Sequence, residues 1–197
     1  MSRIPSVAPQ DASPLVRLAY RFARRRLGEV PEPFAVTAHH RKLFVASARH
    51  ELAVEKATHV LPKNIVQLAV YRTAWTVGCS WCIDFGTMLI RLDGLDVERL
   101  KHIADFETSD AFSEEERDVV RFADAMTATP MTVTDEQVAT LVERYGHDGV
   151  VELTYQVALE NQRSRFNHGL GITDQGFSSG DACKVPWLVD ESVTTGA

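Results

Sequence analysis

Two cysteines stand two residues apart in the segment Cys79-Ser80-Trp81-Cys82. The chain has only three cysteines, so this spacing does not follow from abundance. Gly78 before the pair and an apolar run after it predict that one helix ends at the glycine and the next begins at the cysteines. Both thiols then lie on the first turn of a helix, where unpaired N–H groups and the helix dipole stabilise a thiolate. This arrangement predicts a reactive dithiol.

Other roles for the pair remain open. A structural disulfide is the least favoured, because a bridge across one C-x-x-C turn closes a very short loop and constrains the unfolded chain little. Non-catalytic thiols and metal ligands are the remaining alternatives. Zinc needs two further ligands, and nothing in the sequence places His39, His40 or His50 near the cysteines. We therefore expect redox chemistry, with no bound metal and no cofactor.

A redox role needs groups that lower a thiol pKa or move a proton. Arg72 lies one helix upstream and favours a thiolate if it faces the pair; otherwise it forms a surface or structural salt bridge. Trp81 lines an apolar entrance or packs in the core. In the last helix an apolar stripe continues as Asn161, Ser164 and His168, either in an internal hydrogen-bond network, at an exposed helix end, or facing the thiols. In the last case His168 supplies a base, because histidine titrates near neutral pH.

Length and composition are those of one soluble domain. The chain has 197 residues, of which 45% are hydrophobic and 24% charged, and such a chain buries a core without disulfides or metals. The net charge of -6 argues against nucleic acid as a partner. The sequence shows no apolar run of membrane-spanning length and no secretory signal. We expect a cytoplasmic protein that has no membrane partner, in a compartment where thiols stay reduced.

One basic cluster lies near the N-terminus. It is interpreted as the solvated face of a first helix or, alternatively, as a patch for a membrane or another anionic partner. Its members are Arg17, Arg21, Arg24, Arg25 and Arg26.

The spacing of apolar residues predicts an all-α fold, a helical bundle of about seven or eight helices. Capping boxes at Ser113-x-x-Glu116 and Thr134-x-x-Gln137 begin two helices. The other predicted helices cover 14–27, about 35–58, Pro62 to Gly78, the cysteine pair to about Leu92, 97–104 with Asp96 as N-cap, and about 147–169.

The expected domain covers residues 14–175. It follows a loose segment at 1–13 and precedes an irregular tail at 176–197. In that tail Cys183 is a bystander thiol or a second resolving cysteine, and Trp187 packs at an unassigned place.

The residues around the pair resemble a known family. The run LPKNIVQLAVYR at 61–72, followed by GCSWCID at 78–84, is similar to the carboxymuconolactone decarboxylase family, which includes the AhpD-like alkyl hydroperoxide reductases. A looser similarity covers 113–128 and 160–167. The resemblance implies an all-helical fold and assembly into a homo-oligomer, either a dimer, a trimer or a hexamer.

The resemblance also implies roles for individual residues. In the AhpD branch the second cysteine attacks the peroxide and the first resolves it, so Cys82 is peroxidatic and Cys79 resolving. That branch carries a glutamate twelve residues before the first cysteine and a histidine four after the second, as a proton relay. Here these positions are Gln67, which cannot carry a proton at neutral pH, and Gly86. We place Gln67 and His168 with the two cysteines in the predicted catalytic set, and the predicted pocket contains Tyr71, Arg72, Trp75, Trp81, Gly86 and Asn161.

Three functions follow, in order of preference. The first is an AhpD-like thiol–disulfide oxidoreductase or peroxidase that reduces a small peroxide or a disulfide partner and is reset by an external thiol reductant. The second is a decarboxylase-like or lactone-processing enzyme of the same fold that acts on a small molecule without using the cysteines. The third is a non-catalytic, ligand-binding oligomer.

Overall fold

The computed structural model describes residues 2–178, and this part of the chain is helical without β-strands, as predicted. Cys183 and Trp187 lie outside the described residues. The helices are α1 (Pro14–Leu27), α2 (Glu32–Thr37), α3 (Arg41–Ala57), α4 (Lys63–Val77), α5 (Ser80–Leu92), a 3₁₀ helix (Glu98–Asp105), α6 (Glu114–Thr127) and α7 (Asp135–Gly169).

Local side-chain chemistry sets where these helices begin. The Ser13 hydroxyl accepts a hydrogen bond from the third residue of α1, and Pro14 occupies the first position of that helix, where its missing N–H costs nothing. The predicted capping boxes of α6 and α7 both form. In the first of them the Ser113 hydroxyl accepts from Glu116 N at 3.3 Å, and the Glu116 carboxylate accepts from Ser113 N at 3.0 Å. These helix starts are therefore confirmed.

Two helices differ from the prediction. The helix predicted over 35–58 is divided into α2 and α3, because His40 Nδ1 accepts a hydrogen bond from Leu43 N at 3.1 Å and thereby begins a new helix. The helix predicted over 147–169 and the one begun by Thr134 run together as α7. They are separated by one non-helical residue, Gly146, with φ 69° and ψ 175°, a conformation that glycine adopts at little cost.

Helix α4 is the central element and packs against α5, α6 and α7. Its buried residues lie on nearly every side of the helix, as expected of a helix surrounded by others. One apolar core, around Leu68, Tyr71 and Ile83, includes both cysteines. A second core joins α4, α6 and α7 around Phe122 and Leu153.

A third, smaller core joins α1, α2 and α3 around Tyr20 and Phe44. Residues 2–13 contain no helix, and their contacts reach the end of α7, where Arg3 N donates to Leu170 O at 2.7 Å and the Arg3 guanidinium donates to Gly169 O at 2.6 Å. Within residues 2–178, every helix is too short or too polar to cross a lipid bilayer.

Candidate active site

The cysteine pair lies at the junction of α4 and α5, as predicted. Gly78 follows the last residue of α4 in a left-handed conformation, with φ 83° and ψ 30°, and this turn redirects the chain into α5. Cys79 is the N-cap of α5, and its sulfur accepts a hydrogen bond from Cys82 N at 3.2 Å. The pair therefore occupies the electropositive start of a helix.

The two sulfurs are joined in a disulfide, with the Cα atoms 5.3 Å apart, a normal separation for such a bond. Both residues are buried, but Cys82 is 8% exposed and Cys79 only 1%. Cys82 is therefore the less deeply buried cysteine of the pair.

Two polar side chains from α7 contact the sulfurs. The Asn167 amide lies 3.3 Å from Cys82 Sγ and 3.7 Å from Cys79 Sγ, and the Ser164 hydroxyl lies 3.4 Å from Cys82 Sγ. Asn167 and Ser164 are themselves buried. The sulfurs thus face an amide donor and a hydroxyl group, and the hydroxyl can donate to a thiolate when its single hydrogen is not given to another acceptor.

Ser164 connects the sulfur to a buried carboxyl group. Its hydroxyl donates to Glu160 Oε1 at 2.9 Å, one helical turn earlier on α7. Burial raises the pKa of Glu160 to about 7, although the hydrogen bond from Ser164 and the nearby Arg163 act in the opposite direction. A carboxyl group that titrates near neutral pH can both take and return a proton.

The polar chain continues from Glu160 to helix α3. Arg163 NH1 lies 3.4 Å from Glu160 Oε2, and the same guanidinium binds both carboxylate oxygens of Glu51, with Nε 3.0 Å from Oε1. Cys82, Ser164, Glu160, Arg163 and Glu51 thus form a continuous series of contacts from the dithiol to the surface of α3.

The opposite side of α5 is covered by residues 172–178, which we call the C-terminal strap. The buried carboxylate of Asp84 accepts hydrogen bonds from Gln175 N, Phe177 N and Ser178 N at 2.7 to 3.0 Å and from the Ser178 hydroxyl at 2.6 Å. Burial by itself raises the pKa of Asp84, but the hydrogen bonds outweigh it and the pKa is lowered.

The strap is also held by aromatic contacts. Trp81 Nε1 donates to the Gln175 side chain at 2.7 Å. The Trp81 ring stacks on Phe85 with centroids 4.7 Å apart, and Phe177 meets Phe85 edge-on at 5.2 Å. Trp81 therefore packs between α5 and the strap.

The catalytic residues predicted beside the cysteines have other neighbours. Gln67 Nε2 donates to Asp93, and its Oε1 has no hydrogen-bond partner among the described residues. Gly86 lies beside the Tyr71 ring, where an added Cβ would be 3.6 Å from Cδ2. The His168 side chain is exposed. The structure shows no hydrogen bond from Gln67 or His168 to either sulfur, whereas Ser164 and Asn167 make such bonds.

Two of the predicted pocket residues have structural partners. Arg72 binds Asp124 through two nitrogens at 2.7 and 2.8 Å, donates to Ile103 O at 2.6 Å, and stacks over Trp75 at 4.3 Å. Asn161 donates to the Thr127 hydroxyl at 3.0 Å. Arg72 therefore joins α4 to α6 and the 3₁₀ helix, and Asn161 joins α7 to α6.

Glu160 and Asn167 were not singled out by the sequence analysis. The available signal was the polar continuation of the α7 stripe, on which Ser164 had been placed. Glu160 and Asn167 lie four residues before and three after Ser164, and this spacing puts all three on one helix face. A search for buried polar side chains at that spacing would have found them.

Surface depressions and metal-ligand clusters are two other kinds of site that a protein can carry. A surface depression of about 610 Å³ opens beside the 3₁₀ helix, and neither cysteine lines it. In residues 2–178 no three His, Cys, Asp or Glu side chains converge as metal ligands.

The chain is similar in sequence to a curated protein. No protein-family model matches the chain. The uncharacterized protein YnjA of Escherichia coli strain K12 is 28% identical over 163 residues, which cover 83% of this chain and 87% of YnjA.

Solved structures give stronger similarity in fold. The apo debrominase Bmp8 aligns with a TM-score of 0.76 at 19% identity, over 89% of this chain and 94% of Bmp8. A cysteine-to-alanine variant of Bmp8 in complex with 2,3,4-tribromopyrrole gives 0.77 at 18% identity, over 90% and 94%.

An AhpD-core structure from Ralstonia eutropha JMP134, an uncharacterized peroxidase-related protein, gives a TM-score of 0.70 at 19% identity, over 90% of this chain and 94% of that one. At these identities the comparisons establish the fold. The protein therefore has the AhpD-like helical fold that its resemblance to the carboxymuconolactone decarboxylase family implies.

Proposed function

We propose that the protein is a thiol–disulfide oxidoreductase that reduces a small peroxide, with Cys79 and Cys82 cycling between dithiol and disulfide. One observation carries the proposal. The two sulfurs are bonded at a helix N-terminus and face Ser164 and Asn167, with a carboxyl group of near-neutral pKa one contact further away. These are the parts that a peroxide-reducing dithiol needs: a nucleophile, thiolate donors and a proton acceptor.

Deprotonation of Cys82 is the first step. In the reduced protein the Ser164 hydroxyl passes its hydrogen to the Glu160 carboxylate and receives the thiol proton from Cys82. The protonated Glu160 then donates to Ser164, whose single hydroxyl hydrogen points at the sulfur. The thiolate is stabilised by Ser164, by Asn167 and by the start of α5.

Reduction of the peroxide follows. The Cys82 thiolate attacks one peroxide oxygen; the S–O bond forms, the O–O bond breaks, and the alkoxide takes the proton held by Glu160. This leaves an alcohol and a sulfenic acid on Cys82. The Cys79 thiol then attacks the Cys82 sulfur, and the hydroxide leaves with the Cys79 proton as water. In sum, one peroxide and two thiols give one alcohol, one water and the disulfide.

An external thiol reductant completes the cycle. Two thiols of the reductant supply two electrons and two protons and become a disulfide, while Cys79 and Cys82 return to the dithiol. A reducing compartment such as the cytoplasm suits this step. The protein itself supplies no electrons, so turnover depends on that partner.

Mass spectrometry of the intact protein tests the proposal. In a Cys183→Ser background, which removes the third thiol, one equivalent of an organic hydroperoxide is expected to remove two hydrogens from the reduced protein. Cys79→Ser is expected to stop at the sulfenic acid, a gain of one oxygen, because nothing resolves it. Cys82→Ser is expected to show neither change. A reduced dithiol that is inert to hydroperoxide contradicts the proposal, and substrate turnover by the double Cys→Ser variant would favour an enzyme that does not use the cysteines.

Reductive dehalogenation is a second candidate, favoured by the higher TM-scores of the two Bmp8 structures. The same dithiol can supply the two electrons that this reaction needs. The Cys82 thiolate takes the halogen from carbon, the carbanion receives the proton from Glu160, and Cys79 displaces halide from sulfur to form the disulfide. Halide release from a brominated pyrrole, measured with the reduced protein, separates this reaction from peroxide reduction.

We also propose that the protein forms a homo-oligomer. Helix α1 carries exposed Leu15, Leu18 and Phe22 on one face, and large exposed apolar groups commonly mark protein interfaces. Light scattering of the purified protein gives the assembly size, and Leu18→Glu with Phe22→Glu is expected to lower it if α1 is at the interface.

A further inference from the structure

The polar groups around Glu160 come from three helices, although only those of α7 contact it directly. On α7 itself, Arg163 lies 3.4 Å away and the Ser164 hydroxyl 2.9 Å away. From α5 the Cys82 sulfur lies beyond Ser164, at 3.4 Å from its hydroxyl. From α3, Glu51 faces the same region through Arg163. One cation therefore lies between two carboxyl groups.

The two carboxyl groups do not share that cation equally. Glu51 binds the guanidinium through both carboxylate oxygens, and such a bidentate pair is stronger and more directional than a single contact. Glu160 receives a single contact at 3.4 Å, near the upper limit for a hydrogen bond. Glu51 therefore offsets part of the charge of Arg163, and burial of Glu160 outweighs the stabilisation that Arg163 still gives to its ionised form.

We propose that Glu51, on a helix that carries none of the reacting groups, is a positioning residue that limits Arg163 to a single contact with Glu160 and so preserves Glu160 as the acceptor of the Cys82 proton. The inference rests on the proposed function. It adds helix α3 to the active site, although Glu51 touches neither the substrate nor the sulfurs.

The direction of the effect follows from electrostatics. Glu51→Gln removes the competing negative charge and keeps a side chain of the same size, so Arg163 is free to stabilise ionised Glu160 and the pKa of Glu160 falls. A weaker base takes the Cys82 proton less readily. A fall of about one pKa unit leaves roughly tenfold less of the state in which Cys82 is ionised and Glu160 protonated.

The test is the pH profile of Cys82 alkylation in reduced protein carrying Cys79→Ser and Cys183→Ser. Serine at position 79 keeps a side-chain oxygen at the N-cap of α5. The reference protein is expected to show two inflections, because Cys82 and Glu160 titrate as a coupled pair. Glu51→Gln is expected to move the lower inflection by roughly one unit to acid and to reduce the plateau above it roughly tenfold.

Glu55→Gln is the matched control. Glu55 lies one turn further along α3 and binds Arg26 rather than Arg163, so its replacement is expected to leave the profile unchanged. Arg163→Gln is expected to move the lower inflection to alkaline pH, opposite to Glu51→Gln. A general loosening of the fold does not produce two shifts of opposite sign.

The outcomes separate the inference from the function on which it rests. If Glu160→Gln leaves both inflections in place, the proton relay is wrong. If Glu160→Gln removes the lower inflection but Glu51→Gln behaves like Glu55→Gln, the relay stands and the role of Glu51 is overturned. Folding of each variant is checked by circular dichroism, and Glu51 is favourable for such a test because its side chain is 44% exposed.

Discussion

Asp84 and Glu160 are two buried carboxyl groups near the start of α5, and their surroundings are opposite. Asp84 is 2% exposed and accepts four hydrogen bonds from the strap, so its pKa is lowered despite burial. Glu160 is 4% exposed and is contacted by one hydroxyl at 2.9 Å and one guanidinium nitrogen at 3.4 Å, so burial prevails and raises its pKa to about 7. The number of donors, rather than the depth of burial, lowers the pKa of Asp84 and leaves that of Glu160 near neutral pH.

The largest expected effect is on stability at Asp84. Asp84→Asn removes the charge that four donors surround and points an amide at N–H groups, so we expect a loss of about 4 kcal/mol in the free energy of unfolding at neutral pH. Urea denaturation measures it. Asp174→Asn, an exposed position in the same strap, is the control. Equal stability of the two variants would show that the strap hydrogen bonds contribute little.

The pH dependence of stability should have opposite signs at the two carboxyl groups. Because the folded pKa of Asp84 is lowered, its contribution is present above its unfolded pKa and is lost as the pH falls through the folded value. Glu160 has a raised pKa in the folded protein, so its burial does not reduce the free energy of unfolding at pH values below its unfolded pKa. Its cost grows as the pH rises and levels off above pH 7, at roughly 3 kcal/mol.

Glu160→Gln is therefore expected to be more stable than the native protein at mildly alkaline pH and similar to it near pH 5. Urea midpoints at the two pH values measure the difference. A constant difference at both values would mean that Glu160 does not titrate between them.

Glu160→Gln should also slow the reaction of the dithiol with hydroperoxide. Loss of a general base typically costs a factor of about 100 or more, so we expect Glu160→Gln to slow hydroperoxide-dependent disulfide formation about 100-fold at neutral pH. The control is Glu116→Gln. That residue is also buried, but its carboxylate binds Arg99 and the capping-box N–H of Ser113. Equal rates in the Glu160→Gln and Glu116→Gln variants would show that Glu160 has no special part in the reaction.

The smallest expected effect is at the residues that the family resemblance and the helix stripe indicated. His168 is exposed and Gln67 is hydrogen-bonded to Asp93, so we expect His168→Ala and Gln67→Ala to change the rate of disulfide formation by less than about twofold. Stopped-flow fluorescence of the reduced protein measures it. A large loss at either position would place a second relay beside the one at Glu160.

The fold was largely predictable because its signals are local. Gly78 and Cys79 define a helix junction through backbone conformation and capping, and the boxes at Ser113 and Thr134 act within one turn. The break at His40 was missed because histidine is an uncommon N-cap residue. Prediction of the fold succeeded where neighbours along the chain determine the structure.

The candidate site was predictable only in part, because its remaining components come from distant positions. Ser164 lies 82 residues from Cys82, and the pairing depends on how α7 packs beside α5. The sequence pointed to Gln67, at a relay position of the family, and to His168 on the α7 stripe. The sequence alone could not show that Glu160 loses its water on packing and so acquires a pKa suited to this role.

The cap of α5 makes one backbone amide a reporter of the dithiol. The Cys82 N–H donates to the Cys79 sulfur, and the acceptor strength of that sulfur changes when the disulfide opens and the sulfur becomes a thiol. The chemical shift and hydrogen exchange of this single amide should therefore change with each electron pair gained or lost. Turnover then becomes visible in the backbone spectrum without any label on sulfur.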